Sequence, residues 1–370
     1  MDEIGAGREC ATPWRDEAGA VSLRPIWAGF ALLLASSGAA AAPRDGIYSA
    51  AARVDGHSVR YVSIPLDAVR IKVALAQGYA GRIESLAGIA RRYGAVAAIN
   101  GGDYEAYGDR KFRNANHTLI SGGIFAFKGD VGDVLWFDAE NNARIDRFPL
   151  RITGSLDGEW TWPNNWYAYW INRAPVGDAE TVSIFTPEWG ERTALEGGTQ
   201  VQVTGGVVTA ITNSSTTIPR DGFVIYVRGE RAMLAHFAIG RRVAFRVDRA
   251  DGLPLGAFAG AREAIGCGPR LVTDGLITVD PAAEGFRDPK ILVASAERSA
   301  VGLTGDGRML FVATSGTIRE LAYVMRDLGA RDAMAFDGGA STGIWYRGRS
   351  LVTPGRLINN ALLVTPRSAP

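Results

Sequence analysis

Apolar positions change their period several times along the chain, and those changes mark out the elements. Over residues 45–75 apolar and polar side chains alternate between glycines and prolines, the two-residue period of strands. Ile83, Leu86, Ala87 and Ala90 then recur at helical spacing, and Gly94 stands where that helix stops. A short apolar run over 96–99 suits a buried strand and ends in Asn100-Gly101-Gly102. Strand-like alternation returns over 122–137 and over about 181–247. The last third repeats the early plan. Residues 299–303 and 309–313 flank Thr304-Gly305-Asp306-Gly307, a hairpin signal. Thr317-x-x-Glu320 is a capping box that opens a helix with Ile318, Leu321, Ala322, Met325 and Leu328 on one face. Gly329 stops it, residues 333–336 form a buried strand, and Asp337-Gly338-Gly339 follows.

Two stretches of the chain thus read helix, glycine stop, buried strand, Asx-Gly-Gly. This predicts two structurally related loops facing one site. The order of elements predicts an α+β fold, a mixed β-sheet core with packed helices, in a single domain over 42–370 with a strand-rich insert at about 151–260.

A polar residue at a strand end followed by two glycines leaves backbone N–H groups open to an anion, as in a nest; a tight Asx turn reads the same way. Asp337 is the strongest carboxylate candidate, with Ser341 and Thr342 beside it, and Asp103 and Glu105 follow the other glycine pair. Two carboxyls brought together supply general acid and base, or nucleophile and acid, for glycosidic cleavage. Glu320 has a structural role by its capping position. Arg298 opens a predicted strand, and its guanidinium fork suits phosphate oxygens. The segment from Trp160 and Trp162 to Trp166, Tyr167, Tyr169 and Trp170, with Asn164 and Asn165, reads either as a sugar pocket or as a packed lid or core. His57, His117 and His236 are scattered and carry no zinc motif, and phosphate-loop, dinucleotide and serine-elbow patterns are missing from the sequence. No cofactor is expected; a divalent metal is left open.

Charge and composition narrow the partners. Forty basic against 39 acidic residues give +1, no electrostatic case for nucleic acid. The 46 glycines in 370 residues exceed the usual ~7% and point to many turns and close backbone approaches. Arg24, an apolar run over 26–35 and the alanines after it form a signal peptide with an atypical N-terminal extension over 1–41, too short for a lasting membrane span. Cleavage there leaves Cys267 as the one cysteine of an exported, periplasmic or secreted product, a buried packing thiol.

Asn100-Gly101-Gly102, Gly268-Pro269-Arg270-Leu271-Val272-Thr273-Asp274-Gly275, Arg298-Ser299-Ala300-Val301-Gly302 with Asp306-Gly307, and Glu320-Leu321-Ala322 leading to Asp337-Gly338-Gly339-Ala340-Ser341-Thr342 come in one family's order. The chain resembles the phosphodiester glycosidases over about 95–365. The resemblance implies a hydrolase releasing a sugar from a sugar-1-phosphodiester, in exopolysaccharide or cell-envelope glycan metabolism. It implies Asn100, Arg298 and Asp337 as catalytic, and Gly101, Gly102, Asp103, Gly338, Gly339 and Ser341 as substrate-binding. The chain departs from the family at Asp103-Tyr104, where two aromatics are usual, and at Ala340, where a third glycine is usual. A non-catalytic glycan-binding or polysaccharide-assembly protein and a metal-dependent phosphoesterase using Asp337 are the alternatives.

Overall fold

Strands dominate the computed structural model, which describes residues 45–107, 111–129 and 132–367. The expected signal peptide and Cys10 lie outside the described residues.

Three sheets share one core. The largest places Tyr48–Val54, His57–Pro65, Arg308–Gly316, Ala296–Thr304, Ala330–Phe336, Arg270–Thr273 and Leu276–Ile277 side by side. The second runs Arg349–Val352, Ile344–Tyr346, Ala97–Asn100, Asn360–Pro366 and Val69–Leu75. The third runs Ile124–Phe127, Leu119–Ser121, Glu263–Cys267, Asp133–Phe137 and Ala143–Asp146. Val62, Val73, Ile99, Phe127, Ile265 and Phe336 bring all three into a single buried cluster. The hairpin around residues 304–307 forms as the turn chemistry predicts, with Ala300 opposite Val312.

Residues 150–249 build two further sheets around a separate cluster that includes Ile152, Val182, Val201 and Ile225. One holds Asn165–Ala168, Leu150–Leu156 and Val243–Arg249; the other holds five strands between Trp170 and Arg228. The pairing of Trp170–Ile171 with Thr181–Phe185 is parallel, and the other paired strands described here are antiparallel.

Two helices of more than one turn stand behind the first two sheets. Leu86–Arg92 starts at Ser85, whose hydroxyl accepts from Gly88 N at 3.1 Å. Ile318–Asp327 starts with the expected capping box between Thr317 and Glu320, and Gly329 at φ 91° ends it. The expected packing of helices is otherwise reduced, among the described residues, to the four-residue helices Arg231–Leu234 and Pro289–Leu292. Antiparallel neighbours close through short turns and need no crossover helix. No helix among the described residues is long and apolar enough to cross a membrane.

Candidate active site

The two Asx-Gly-Gly loops meet. Ala97–Asn100 and Ala330–Phe336 lie in different sheets, yet Asp337 N donates to Gly101 O at 3.0 Å and Asn100 Nδ2 donates to Asp337 O at 2.7 Å. The fully buried Asn100 side chain also accepts from Ser299 Oγ at 2.7 Å and Gly343 N at 3.0 Å. It ties strand ends together and is not a wall of the cavity described below.

Gly101 and Gly102 are needed for close approach. A Cβ on Gly101 would lie 1.9 Å from Asn360 Oδ1, and one on Gly102 would lie 2.4 Å from Gly266 O. Their amides donate to Asn360, Gly101 N to the main-chain oxygen at 3.0 Å and Gly102 N to Oδ1 at 2.9 Å. Backbone donors already paired this way are not open to substrate, which corrects the nest reading for this loop.

The second loop is different. Gly338, Gly339 and Ala340 border a cavity of about 490 Å³, together with Asp103, Asp337 and Arg298. Gly338 N and Gly339 N have no protein acceptor among the described residues. A Cβ on Gly338 would sit 2.8 Å from Glu297 O and 3.6 Å from Arg298 Nη1, so the glycine keeps this edge of the guanidinium uncovered.

Charge concentrates in the cavity. Asp337 Oδ2 accepts from Arg356 Nη2 at 2.9 Å, and Arg356 Nε donates to Ser341 Oγ at 2.7 Å. Burial, then the nearby Asp103 charge, push the Asp337 carboxyl above its ordinary value; Ser341 and Arg356 oppose the shift. Arg298 is nearly buried. Its Nε donates to Gly316 O at 3.0 Å and its Nη2 to the carbonyls of Lys290, at 2.8 Å, and Ala294. No carboxylate pairs with it among the described residues, and burial alone lowers its pKa. A cation held by neutral carbonyls beside two acids is poised for an anionic group that arrives from solution.

Asp103 is clamped by Asn116 Nδ2 at 2.7 Å and by His117 Nε2. Burial would raise its carboxyl, but the His117 charge and these bonds outweigh it and bring it to about 2. The buried Cys267 thiol lies beside them. Burial and the two aspartate charges hold it well above its ordinary value, so it stays protonated. Asp103, His117 and Cys267 place their donor atoms within 4.8 Å of one another, which fits the donor set of a three-ligand metal site.

Residues 197–365 match the phosphodiester glycosidase family model. Among solved structures, a hypothetical protein from Synechocystis superposes with TM-score 0.72 at 22% identity, covering 86% of this chain. A Burkholderia pseudomallei protein whose name suggests export gives TM-score 0.67 at 20% identity over 84% of this chain and 74% of its own. The zebrafish N-acetylglucosamine-1-phosphodiester alpha-N-acetylglucosaminidase catalytic domain, auto-inhibited by its pro-peptide, gives TM-score 0.45 at 12% identity over 87% and 82%. The resemblance to phosphodiester glycosidases holds. No curated protein matches the sequence. The first two structures share the fold, and this chain spans 61% of the Synechocystis protein's length.

Arg298, Asp337, Gly338, Gly339 and Ser341 fall inside the stretch matched to the phosphodiester glycosidases, and Asn100, Gly101, Gly102 and Asp103 precede it. Arg356, also inside it, escaped the sequence reading. Its signal was faint, a lone arginine in the Pro354-Gly355-Arg356 turn. Its guanidinium lies over Tyr104, 5.2 Å from the ring centre, and 5.6 Å from that of Tyr107. Glu105, the rival of Asp103, pairs with Arg173 at 2.8 Å and with Asn114, away from the cavity.

Next to the cavity, Glu284 accepts from Arg270 N at 3.0 and 3.1 Å, yet burial and the Asp133 charge raise its carboxyl to about 7. The folded protein binds this proton more tightly than the unfolded chain, so the stabilisation is present in acid and is lost as pH rises from about 4.5 through 7. Glu284→Gln is expected to raise Tm by ~1–2 °C at pH 8 and to leave it unchanged at pH 4, after allowance for solvent screening. Thermal melts at both pH values check this.

Proposed function

We propose that this protein is an exported hydrolase that cleaves the anomeric C–O bond of a sugar-1-phosphodiester. The observation that carries the reading is Arg298, a nearly buried cation without a carboxylate partner among the described residues, in the same cavity as Asp103 and Asp337. The phosphodiester anion supplies the missing charge, and the open amides of Gly338 and Gly339 add donors for its oxygens. A phosphomonoester leaves as an anion that Arg298 stabilises, so the leaving group depends little on a proton donor.

The work then falls to a carboxylate at the anomeric carbon. Asp337, lifted above its ordinary value and oriented by Arg356 and Ser341, is a stronger base than an exposed aspartate and takes a proton from the attacking water. The water oxygen bonds to the anomeric carbon as its bond to the phosphate oxygen breaks. Asp103, ionised and fixed by His117 and Asn116, faces the positive charge that develops on the sugar.

Hydrolysis of a panel of sugar-1-phosphodiesters in heavy-oxygen water tests this. The label is expected in the sugar, with unlabelled phosphomonoester as the other product. A label in the phosphate, or release of sugar phosphate, overturns it. The Asp103–His117–Cys267 cluster favours a second reading, a metal-assisted phosphoesterase, which predicts phosphate labelling and loss of turnover with chelator. Export rests on the expected signal peptide and on the name of the Burkholderia relative. An N-terminus upstream of Trp27 in cell-purified protein would count against it.

A further inference from the structure

Away from the cavity, aromatic side chains gather on one face of the sheet formed by Asn165–Ala168, Leu150–Leu156 and Val243–Arg249. Side chains alternate across a strand, and here the two faces differ sharply. Ile152, Trp166, Ala168 and Val243 point into their own buried cluster. On the opposite face Tyr167 stands across from Thr153, and Thr153 across from Arg246, in one row. Arg151 is exposed at the next outward position of the central strand, and Tyr169 follows the edge strand.

A packed lid would bury its rings. Tyr167 and Tyr169 are instead 43% and 40% exposed. They are held in place all the same: their ring centres lie 5.5 Å apart, and both hydroxyls reach Glu230 Oε1, at 3.4 and 2.9 Å. The Arg246 guanidinium carbon lies over the Trp160 ring, 4.4 Å from its centre. These groups border a shallow depression of about 510 Å³ whose described lining includes Lys128, Arg151 and Arg246 and no carboxylate. Asp248, bonded to Arg246 at 2.8 Å, stands directly across from Arg151 in the neighbouring strand, Glu230 holds the tyrosine hydroxyls, and Arg151 has no ion pair among the described residues.

We infer that this face of the insert is a second binding site, for a polysaccharide of acidic sugars. Ring faces take the C–H faces of sugars, and guanidinium groups take their carboxylates. Mounting on a sheet keeps the platform preformed, so little ordering is required on binding. None of its lining residues lines the Asp337 cavity, so the site is independent of the proposed reaction. The Glu230 carboxylate bonded to the tyrosine hydroxyls and the overall charge of +1 disfavour the denser phosphates of a nucleic acid.

Affinity electrophoresis of the full chain in gels containing polygalacturonate, dextran or oligouridylate tests the inference. Retardation is expected in polygalacturonate alone and should fade with added salt. Tyr167→Ala with Tyr169→Ala is expected to weaken it about 10-fold, Arg151→Gln several-fold, and Asp337→Asn not at all. The Arg151 side chain is exposed and makes no described bond, so its variant decides the matter if the tyrosine pair disturbs folding. No retardation, equal retardation in dextran or oligouridylate, or retardation unchanged by Arg151→Gln would overturn the proposal.

Discussion

Asp337→Asn is expected to lower kcat on a sugar-1-phosphodiester by ~10³-fold or more while Tm stays close to that of the parent. The asparagine keeps the volume of the side chain. It also leaves intact the two main-chain bonds that lock this residue to the first loop, Asp337 N to Gly101 O and Asn100 Nδ2 to Asp337 O. What it removes is the base. In the parent, kcat should rise with pH through the ionisation of Asp337, which burial and Asp103 place above the ordinary 3.8, and then level off. In Asp337→Asn that limb should vanish from whatever rate remains. Full activity with an unchanged pH profile would show that the reacting carboxylate lies elsewhere.

Arg298→Gln should act on binding more than on the chemical step. Losing the cation that holds the phosphate is expected to raise KM for phosphodiesters ~10²-fold, with a smaller fall in kcat as the leaving anion loses its partner. A neutral aryl glycoside has no such group, and its kcat/KM should change less than about threefold. That second substrate also serves as the internal control for folding. Arg298 holds the carbonyls of Gly316, Lys290 and Ala294, so the substitution will cost some stability. A uniform loss on both substrates would reduce Arg298 to a strut.

Much of this site was legible in the chain because its parts are local. A capping box, a glycine stop and an apolar run are read within a dozen residues, and Thr317, Gly329 and the strand before Asp337 stand where such patterns put them. The pairing of two Asx-Gly-Gly ends was legible for the same reason. What each group does there was not. Asn100 and Asp337 look alike in sequence, yet one side chain is turned into the sheet junction and the other toward the cavity. The difference is made by Ser299, Gly343 and Asn360, hundreds of residues from the first loop. Likewise Asp103 and Glu105 are equivalent by spacing. Their partners separate them, His117 and Asn116 for Asp103, and the distant Arg173 with Asn114 for Glu105. Both helices read from apolar periodicity form, and what was overestimated is their share of the fold, since antiparallel strands connect through short turns without crossover helices.

The lock between the two loops also bears on when the pocket comes into being. Gly101 O meets Asp337 N, and Gly102 is held by Asn360 in a strand that pairs with both Val69–Leu75 and Ala97–Asn100. Such pairings between the first and last thirds of a chain are slow to close, since their loop entropy is lost before the contacts form. A nascent chain lacking Asn360–Pro366 already holds every strand of residues 150–249, but it cannot bring Asp337 against Gly101 with Asn360 in place. The pocket is therefore completed only once Asn360 has been made. A chain truncated before Asn360 is expected to lack the completed pocket.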